Sequence, residues 1–167
     1  ISLAWMLHKY PNVVPIPGSK NKERILENLD AGTELIPVLK DDAYGLGLVP
    51  VARTLSVFPE IRLLAVAHVR EGIVLSEAEI EREILVMGGA LPFQMEEAVR
   101  AGLTLACGRL GFVRELTAAA SRVGKKAKVQ IKIDTGLHRI GLEYEELTAF
   151  LEELASSGDS LTITGVF

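Results

Sequence analysis

The stretch "ELIPVLKDDAYGLG", residues 34–47, places a lysine at the end of an apolar, strand-like run and follows it with two aspartates, a tyrosine and two spaced glycines. Glycines after such a run are typical of a turn. Lys40 is therefore predicted to lie where a buried strand meets a turn. A strand-end lysine most often reaches into solvent, so the interpretation of Lys40 depends on the rest of the chain.

Six further short runs have the same apolar character. They are "NVVPIPG", "RLLAVAHV", "EILVMGG", "LTLACG", "KVQIKIDTG" and "LTITGVF". Most are nearly continuous in apolar residues rather than alternating, which is typical of parallel strands that are covered on both faces. The chain is thus predicted to contain about seven parallel strands.

The segments between the runs have the period of helices. In "NKERILENLDAG", Ile25, Leu26 and Leu29 form an apolar stripe and Gly32 ends the helix. "EYEELTAFLEELASSG" repeats this plan. Strand followed by helix, about seven times, predicts an α/β protein with a parallel sheet, and we expect residues 1–167 to form a single domain.

Two architectures fit this order of elements. A spacing of about 20–30 residues per unit suits either a (β/α)8 barrel or an open doubly wound sheet of the Rossmann or flavodoxin type. A complete barrel needs about 250 residues and eight strands. We expect an incomplete TIM-barrel-like sheet, with the open doubly wound sheet as the alternative. In both, ligands bind beyond the carboxyl ends of the strands.

Composition excludes several classes of function. A net charge of -4 and a pI near 5.5 argue against nucleic acid as a partner, because no basic surplus exists to pair with phosphates. Cys107 is the only cysteine, so neither an internal disulfide nor a multi-cysteine zinc site is expected, and no metal site is predicted. The absence of a long apolar stretch and of a leader-like start favours a cytoplasmic protein without a membrane partner.

Cationic side chains recur at four predicted strand ends. They are Lys40, then His68 and Arg70, then Arg109, and finally Lys132, His138 and Arg139 in "KIDTGLHR". Such a cluster at one edge of an apolar sheet would attract anions and hold a nucleophilic lysine. The alternative interpretation is that several of these side chains simply reach into solvent.

The segments "VLKDDAYGLG" and "KVQIKIDTGLHRIG" resemble two motifs of the alanine racemase family, which are pyridoxal phosphate enzymes of fold type III. The likeness covers residues from about 33 to 167. By this resemblance Lys40 is the lysine that forms the Schiff base with the cofactor, and Tyr44 is the tyrosine that contacts the cofactor phosphate. Lys132 matches a lysine that can be carbamylated, and Arg139 matches the arginine facing the cofactor's phenolic oxygen and the carbamate.

The chain also departs from that family. Asp41 and Leu46 differ from the commonest family residues, and the chain stops at "ITGVF". By the resemblance, the catalytic tyrosine of the second base, the main phosphate-binding loops and the C-terminal β-domain would follow. Because racemisation removes a proton on one face and returns one on the other, Lys40 without an opposite partner is not expected to give meaningful alanine racemase activity.

The segment "LAWMLHKYPNVVPIPGSKNKERILENLDA" instead resembles the C-terminal end of an aldo-keto reductase barrel, and covers about residues 1–31. By this resemblance Ser19 and Arg24 match residues that bind the 2'-phosphate of NADP, and Asn28 matches a position near the adenine. An N-capped surface helix is the alternative. The reductase catalytic residues lie on strands for which this chain has no counterpart, so hydride transfer is not expected.

Two families that meet near Ala31 and Gly32 indicate a chimera, with a reductase-like segment at residues 1–31 and a racemase-like segment at 32–167. Our leading expectation is an engineered chimera of barrel fragments with no selected activity and no cofactor. The alternative is a residual pyridoxal-phosphate-binding module. A third interpretation is a part of a longer enzyme. Open sheet edges also predict a homodimer that covers them.

Overall fold

A five-stranded parallel sheet organises residues 35–167, the part of the chain that this computed structural model describes. The strands follow one another in space in the order of the sequence, each hydrogen-bonded to the next. They are β1 (Leu63–Val66), β2 (Glu83–Val86), β3 (Thr104–Cys107), β4 (Ala127–Ile131) and β5 (Leu161–Val166).

One helix precedes β1 and others connect the five strands, as the helix-period segments predict. They are α1 (Leu48–Leu55), α2 (Val69–Glu77), α3 (Met95–Arg100), α4 (Phe112–Val123) and α5 (Leu147–Ser156). Short 3-10 turns at Pro92–Gln94 and Tyr144–Glu146 lead into α3 and α5, and a third at Gly158–Ser160 leads into β5. Helix α4 lies between two glycines in the left-handed region, Gly111 at its start and Gly124 at its end.

The sequential strand order distinguishes between the two predicted architectures. A doubly wound sheet reverses its strand order at a switch point, whereas the strands of a TIM barrel follow one another around the ring. The described sheet has the order β1-β2-β3-β4-β5 without reversal. The prediction of a parallel, TIM-barrel-like α/β sheet is therefore confirmed, and the described residues do not follow the doubly wound alternative.

The predicted strand "ELIPVLK" forms only a single parallel bridge, between Val38 and Ala65. The Ala65 N–H donates to the carbonyl of Pro37 at 2.9 Å, and the Leu39 N–H donates to the carbonyl of Ala65 at 2.7 Å. Pro37 has no N–H to extend this ladder, and the chain turns immediately after Lys40. This segment still lies beside β1, where the preceding strand of a TIM-barrel-like sheet would lie. The predicted strand "NVVPIPG" lies outside the described residues.

The core lies between the sheet and its helices. The core cluster includes the fully buried side chains of Leu64 and Val66 in β1, Leu105 in β3, Leu116 in α4 and Phe150 in α5. Burying one such side chain contributes about 1.5–3 kcal/mol. These contacts hold the strands so that their carboxyl ends meet at one edge.

Strand β5 differs from its prediction as a buried strand. Its side chains Ile163 and Val166 are 51% and 61% exposed. Within the described sheet β5 pairs with β4 alone, so one of its sides carries no neighbouring strand there. No helix within the described part of the chain has the length and apolar character needed to cross a bilayer.

Candidate functional site

Lys40 lies at the carboxyl end of the segment that pairs with β1. The buried Leu39 immediately before it is fixed to Ala65, so the lysine emerges where the backbone leaves the sheet. Its side chain is half-buried, and its Nζ lies 5.9 Å from the centre of the Tyr44 ring. Tyr44 itself is 63% exposed. The structure thus brings these two predicted site residues together.

The turn after Lys40 is a single helical turn of left-handed sense. Four consecutive residues that are not glycine, Asp41 to Tyr44, have φ between 53° and 56°. This conformation costs roughly 1–2 kcal/mol per residue, so it persists only where surrounding contacts impose it. Gly45 and Gly47 follow with φ of 82° and 92°, which glycine adopts without that cost, and complete the reversal into α1.

Backbone N–H groups that donate to two carboxylates hold this turn. Asp42 Oδ1 accepts the N–H of Leu48 at 2.7 Å, which satisfies a free amide at the start of α1. Glu71 of α2 accepts the N–H of Asp41 at 2.8 Å. The same carboxylate accepts the N–H groups of Ala67 and His68, at 2.9 and 3.0 Å. The turn is therefore tied to the end of the neighbouring strand.

The loop after β4 carries Arg139. The carboxylate of Asp134 accepts the N–H groups of Gly136 and His138 on one oxygen and that of Arg139 on the other, at 2.9–3.1 Å. These bonds, led by the one from His138, lower the pKa of Asp134 below its ordinary 3.8. A bridge between Ile133 and Leu142 closes the base of the loop. Residues 134–142 therefore form a compact, internally bonded loop.

Lys132 directly follows β4. Its N–H donates to the carbonyl of Cys107 at 2.8 Å, and its own carbonyl accepts the N–H of Leu142 at 2.9 Å. Its half-buried side chain places Nζ 4.4 Å from the centre of the Phe167 ring, which is a cation–π contact. The backbone of Lys132 is thus fixed both by β3 and by the loop of residues 134–142, which we call the Arg139 loop.

A cavity of about 500 Å³ lies at the carboxyl ends of β1, β2 and β3. That volume is within the roughly 300–1,000 Å³ of small-molecule sites. His68, Arg109 and Arg139 line it, together with the backbone of Gly88 and Gly89. Three of the predicted strand-end cations therefore meet there.

Arg109, which lines this cavity, forms an ion pair with Glu115. It binds the carboxylate of Glu115, and this bond raises the pKa of the Arg109 guanidinium. Arg139 is thus the arginine at this cavity that the structure does not show in an ion pair. Lys40, Tyr44 and Lys132 do not line the cavity. Arg70 lies at a second cavity of about 560 Å³, beside Asp42 and Glu71.

Two groups of predicted residues have a different outcome. Ser19, Arg24 and Asn28 lie outside the described residues. Within residues 35–167 no three His, Cys, Asp or Glu side chains come together in a way that could hold a metal ion. Conversely, Glu71 was not predicted. The spacing "HVRE", with a glutamate three residues after the N-cap position, is half of a capping-box pattern and could have indicated it.

Comparisons with known proteins show the family that this chain resembles. The model of the family "Alanine racemase, N-terminal domain" matches residues 19–167. The alanine racemase of Geobacter sulfurreducens is 36% identical over 134 residues, or 80% of this chain. Alanine racemase 2 of Caldanaerobacter subterraneus is 32% identical over 167 residues, or 100% of this chain. The solved alanine racemase of Clostridium difficile superimposes with a TM-score of 0.77 and 30% identity over 87% of this chain.

The chain spans well under half the length of these relatives. It covers 35% of the Geobacter protein, 40% of the Caldanaerobacter protein and 38% of the solved Clostridium chain. The region that this chain shares with them is therefore one part of each relative.

Proposed function

The chain belongs to the alanine racemase N-terminal domain family, and we propose that it is a pyridoxal-phosphate-binding module in which Lys40 is the residue that attaches the cofactor. The observation that carries this proposal is the position of Lys40. Lys40 is partly buried at the carboxyl end of a parallel sheet, directly before a backbone turn that hydrogen bonds hold in an uncommon conformation. Strained turns that are held by hydrogen bonds to residues distant in sequence are typical of functional sites.

The donor groups of the described residues suit this cofactor. A primary amine, that of Lys40, is the nucleophile that a carbonyl group requires. The hydroxyl of Tyr44 and the guanidinium of Arg139 are donors for anionic oxygens such as those of a phosphate or a phenolate. When bound, pyridoxal phosphate supplies an electron sink that stabilises negative charge beside an amino group.

Different residues of the chain would contact different parts of the cofactor. Lys40 would hold the ring covalently, and the adjacent Tyr44 would donate to its phosphate. Arg139, fixed by the Asp134 bonds, would supply a charge-assisted donor from the loop after β4. Lys132 supplies a second ammonium group at the same sheet edge, and its carbamylation stays a prediction.

We propose cofactor binding without complete racemase activity. Racemisation requires acid/base groups on both faces of the substrate. Of the acid/base groups that this requires, the described residues offer Lys40 for one face.

The comparisons favour this module over the engineered chimera that led our expectations. None of the matches reported above supports a reductase-like segment, and the family model begins at residue 19, ahead of the predicted junction near Ala31. The origin of residues 1–31, the NADP-site residues Ser19, Arg24 and Asn28, and the homodimer stay predictions. Light scattering of the purified chain would test the homodimer.

The test is covalent capture of pyridoxal phosphate by Lys40. The purified chain is mixed with limiting cofactor, reduced with borohydride and digested, and the modified peptides are identified by mass spectrometry. We expect the label on Lys40 in preference to the other lysines, with a visible absorption band before reduction.

Two variants make the result specific. Lys40→Ala should lose both the label and the absorption band. Lys126→Ala, which removes an exposed lysine that lies 3.9 Å from Asp159, should change neither. Labelling spread evenly over the surface lysines in the parent chain would overturn the proposal.

A further inference from the structure

Lys40 is followed by a backbone conformation that its own sequence does not favour. Asp41, Asp42, Ala43 and Tyr44 are all L-residues in the left-handed region. Local backbone bonds at the turn include those from the Ala43 N–H to the Leu39 carbonyl and from the Gly47 N–H to the Asp42 carbonyl, both 2.9 Å, and that from the Leu46 N–H to the Ala43 carbonyl at 3.2 Å. Such short-range bonds also form in a right-handed turn, so they do not select a left-handed conformation that costs roughly 1–2 kcal/mol per residue. A contact from outside the turn can select it.

Glu71 provides that contact. Its Oε1 accepts the N–H of Asp41 at 2.8 Å, and this N–H belongs to the peptide group that begins with the carbonyl of Lys40. Its Oε2 accepts the N–H groups of Ala67 and His68, which directly follow β1. One carboxylate therefore joins the peptide after Lys40 to the end of the neighbouring strand.

The position of Glu71 at the start of α2 holds its carboxylate in place. Glu71 is in the first turn of α2, where the helix dipole favours a negative charge, and its bond to His68 satisfies the N-cap amide. The next residue, Gly72, packs so closely on Leu103 that an added Cβ would lie 2.8 Å from a Leu103 methyl carbon. Helix α2 is thus held against the core directly beside the carboxylate.

We propose that Glu71 is the positioning residue of Lys40: by fixing the peptide between Lys40 and Asp41, its carboxylate holds the lysine amine in the direction needed to react with the cofactor aldehyde. This rests on the proposed function. Glu71 acts through the backbone and is not a catalytic residue.

Two substitutions separate this role from general stability. Glu71→Gln keeps the size of the side chain but replaces one acceptor oxygen by a donor, so at least one of the two joined segments loses its bond. Glu77→Gln is the matched control, because Glu77 is an exposed residue near the end of the same helix. Both variants are compared with the parent chain for the rate of borohydride-trapped labelling at Lys40 and for amide hydrogen exchange.

We expect Glu71→Gln to slow labelling of Lys40 by about tenfold, since hydrogen bonds to charged groups contribute an effect of this order. It should also speed exchange of the Asp41 amide while the Leu105 amide in β3 keeps its protection. Glu77→Gln should leave both rates at the parent values. Selective loss of protection at Asp41 is a local signature that global destabilisation does not give.

The outcomes also distinguish the two proposals. If the parent chain is not labelled at Lys40, the proposed function fails, and this inference fails with it. If the parent is labelled and Glu71→Gln is labelled equally fast, Glu71 is not a positioning residue although the proposed function stands. If Glu71→Gln loses protection at Leu105 as well as at Asp41, the residue is only structural.

Discussion

Gly108 and Gly141 touch through their backbones: a Cβ added to Gly108 would lie 3.0 Å from the Cα and 3.2 Å from the nitrogen of Gly141. Gly108 follows β3, and Gly141 belongs to the loop that carries Arg139. This contact seats the Arg139 loop on the end of the sheet. The two backbones can approach this closely because neither glycine has a side chain.

Gly108→Ala should therefore displace the Arg139 loop. The added methyl group meets backbone atoms that cannot rotate away, and overpacking of this kind costs typically about 1–3 kcal/mol. We expect the free energy of unfolding, measured in urea, to fall by that amount, and the amides of residues 138–140 to exchange faster.

Gly165→Ala is the matched control for that substitution. A Cβ at Gly165 would meet the side chain of Gln130 at 3.3–3.6 Å, and this flexible side chain can move. A small effect is expected there. Equal unfolding free energies for the two alanine variants would contradict the role assigned to the Gly108–Gly141 contact.

The buried hydroxyl of Thr104 leads to a prediction about the opposite end of the sheet. Thr104 is 0% exposed, and its Oγ1 donates to Glu83 Oε1 at 2.7 Å, across β3 and β2. Thr104→Val keeps the shape but removes the donor, so Glu83 loses its partner. We expect the free energy of unfolding to fall by about 1–3 kcal/mol.

Thr104→Ser tests whether the hydroxyl is the cause. Serine keeps the donor and loses one methyl group, which is worth about 0.8 kcal/mol. Urea titrations of both variants provide the comparison. A valine variant that is as stable as the parent would show that the hydrogen bond makes no net contribution.

The fold class could be predicted from sequence because parallel strands buried on both faces leave continuous apolar runs. The same pattern failed at two places for physical reasons. "LTITGV" reads as a buried strand, yet it is largely exposed in β5, because composition does not reveal which neighbour a strand has. "ELIPVLK" forms one bridge rather than a strand, because Pro37 and the left-handed turn limit its ladder.

The candidate site could be predicted only as far as residue types at strand ends allow. Lys40 and Arg139 lie at the predicted carboxyl edge, since the ends of parallel strands meet there. The left-handed turn and the bonds of Glu71 could not be predicted. Aspartate adopts the left-handed region more often than most residues, but "DDAY" does not predict four consecutive residues with φ above zero, and the conformation depends on contacts with a helix that is distant in sequence.

The pKa of Asp134 predicts how the Arg139 loop responds to acid. Backbone N–H groups, chiefly that of His138, stabilise the ionised carboxylate and lower its pKa below 3.8 in the folded chain. The resulting stabilisation is fully present above the unfolded-state pKa and is lost as the pH falls through the lower folded-state pKa. Asp134→Asn should therefore destabilise the loop at neutral pH, and its difference from the parent should shrink only below about pH 4.

Amide exchange at His138 and Arg139, measured at neutral pH and in acid, checks this expectation. Asp159→Asn is the control, because Asp159 is fully exposed and its contact with Lys126 spans 3.9 Å. A parent–variant difference that is the same at neutral pH and well below pH 4 would show that the charge of Asp134 is not responsible.

Cys107 should be chemically inert in the folded chain. It is 0% exposed, and burial raises the pKa of its thiol from 9.0 to about 12 despite the nearby N–H and charge of Arg109. At neutral pH the reactive thiolate is then about a 10⁻⁵ fraction of the thiol.

Since Cys107 is the only cysteine, the colour released from a disulfide reagent reports on it alone. We expect no release under native conditions and stoichiometric release in urea, with a rate that follows unfolding. Rapid stoichiometric labelling of a chain whose circular dichroism is unchanged would contradict the burial of Cys107 at the carboxyl end of β3.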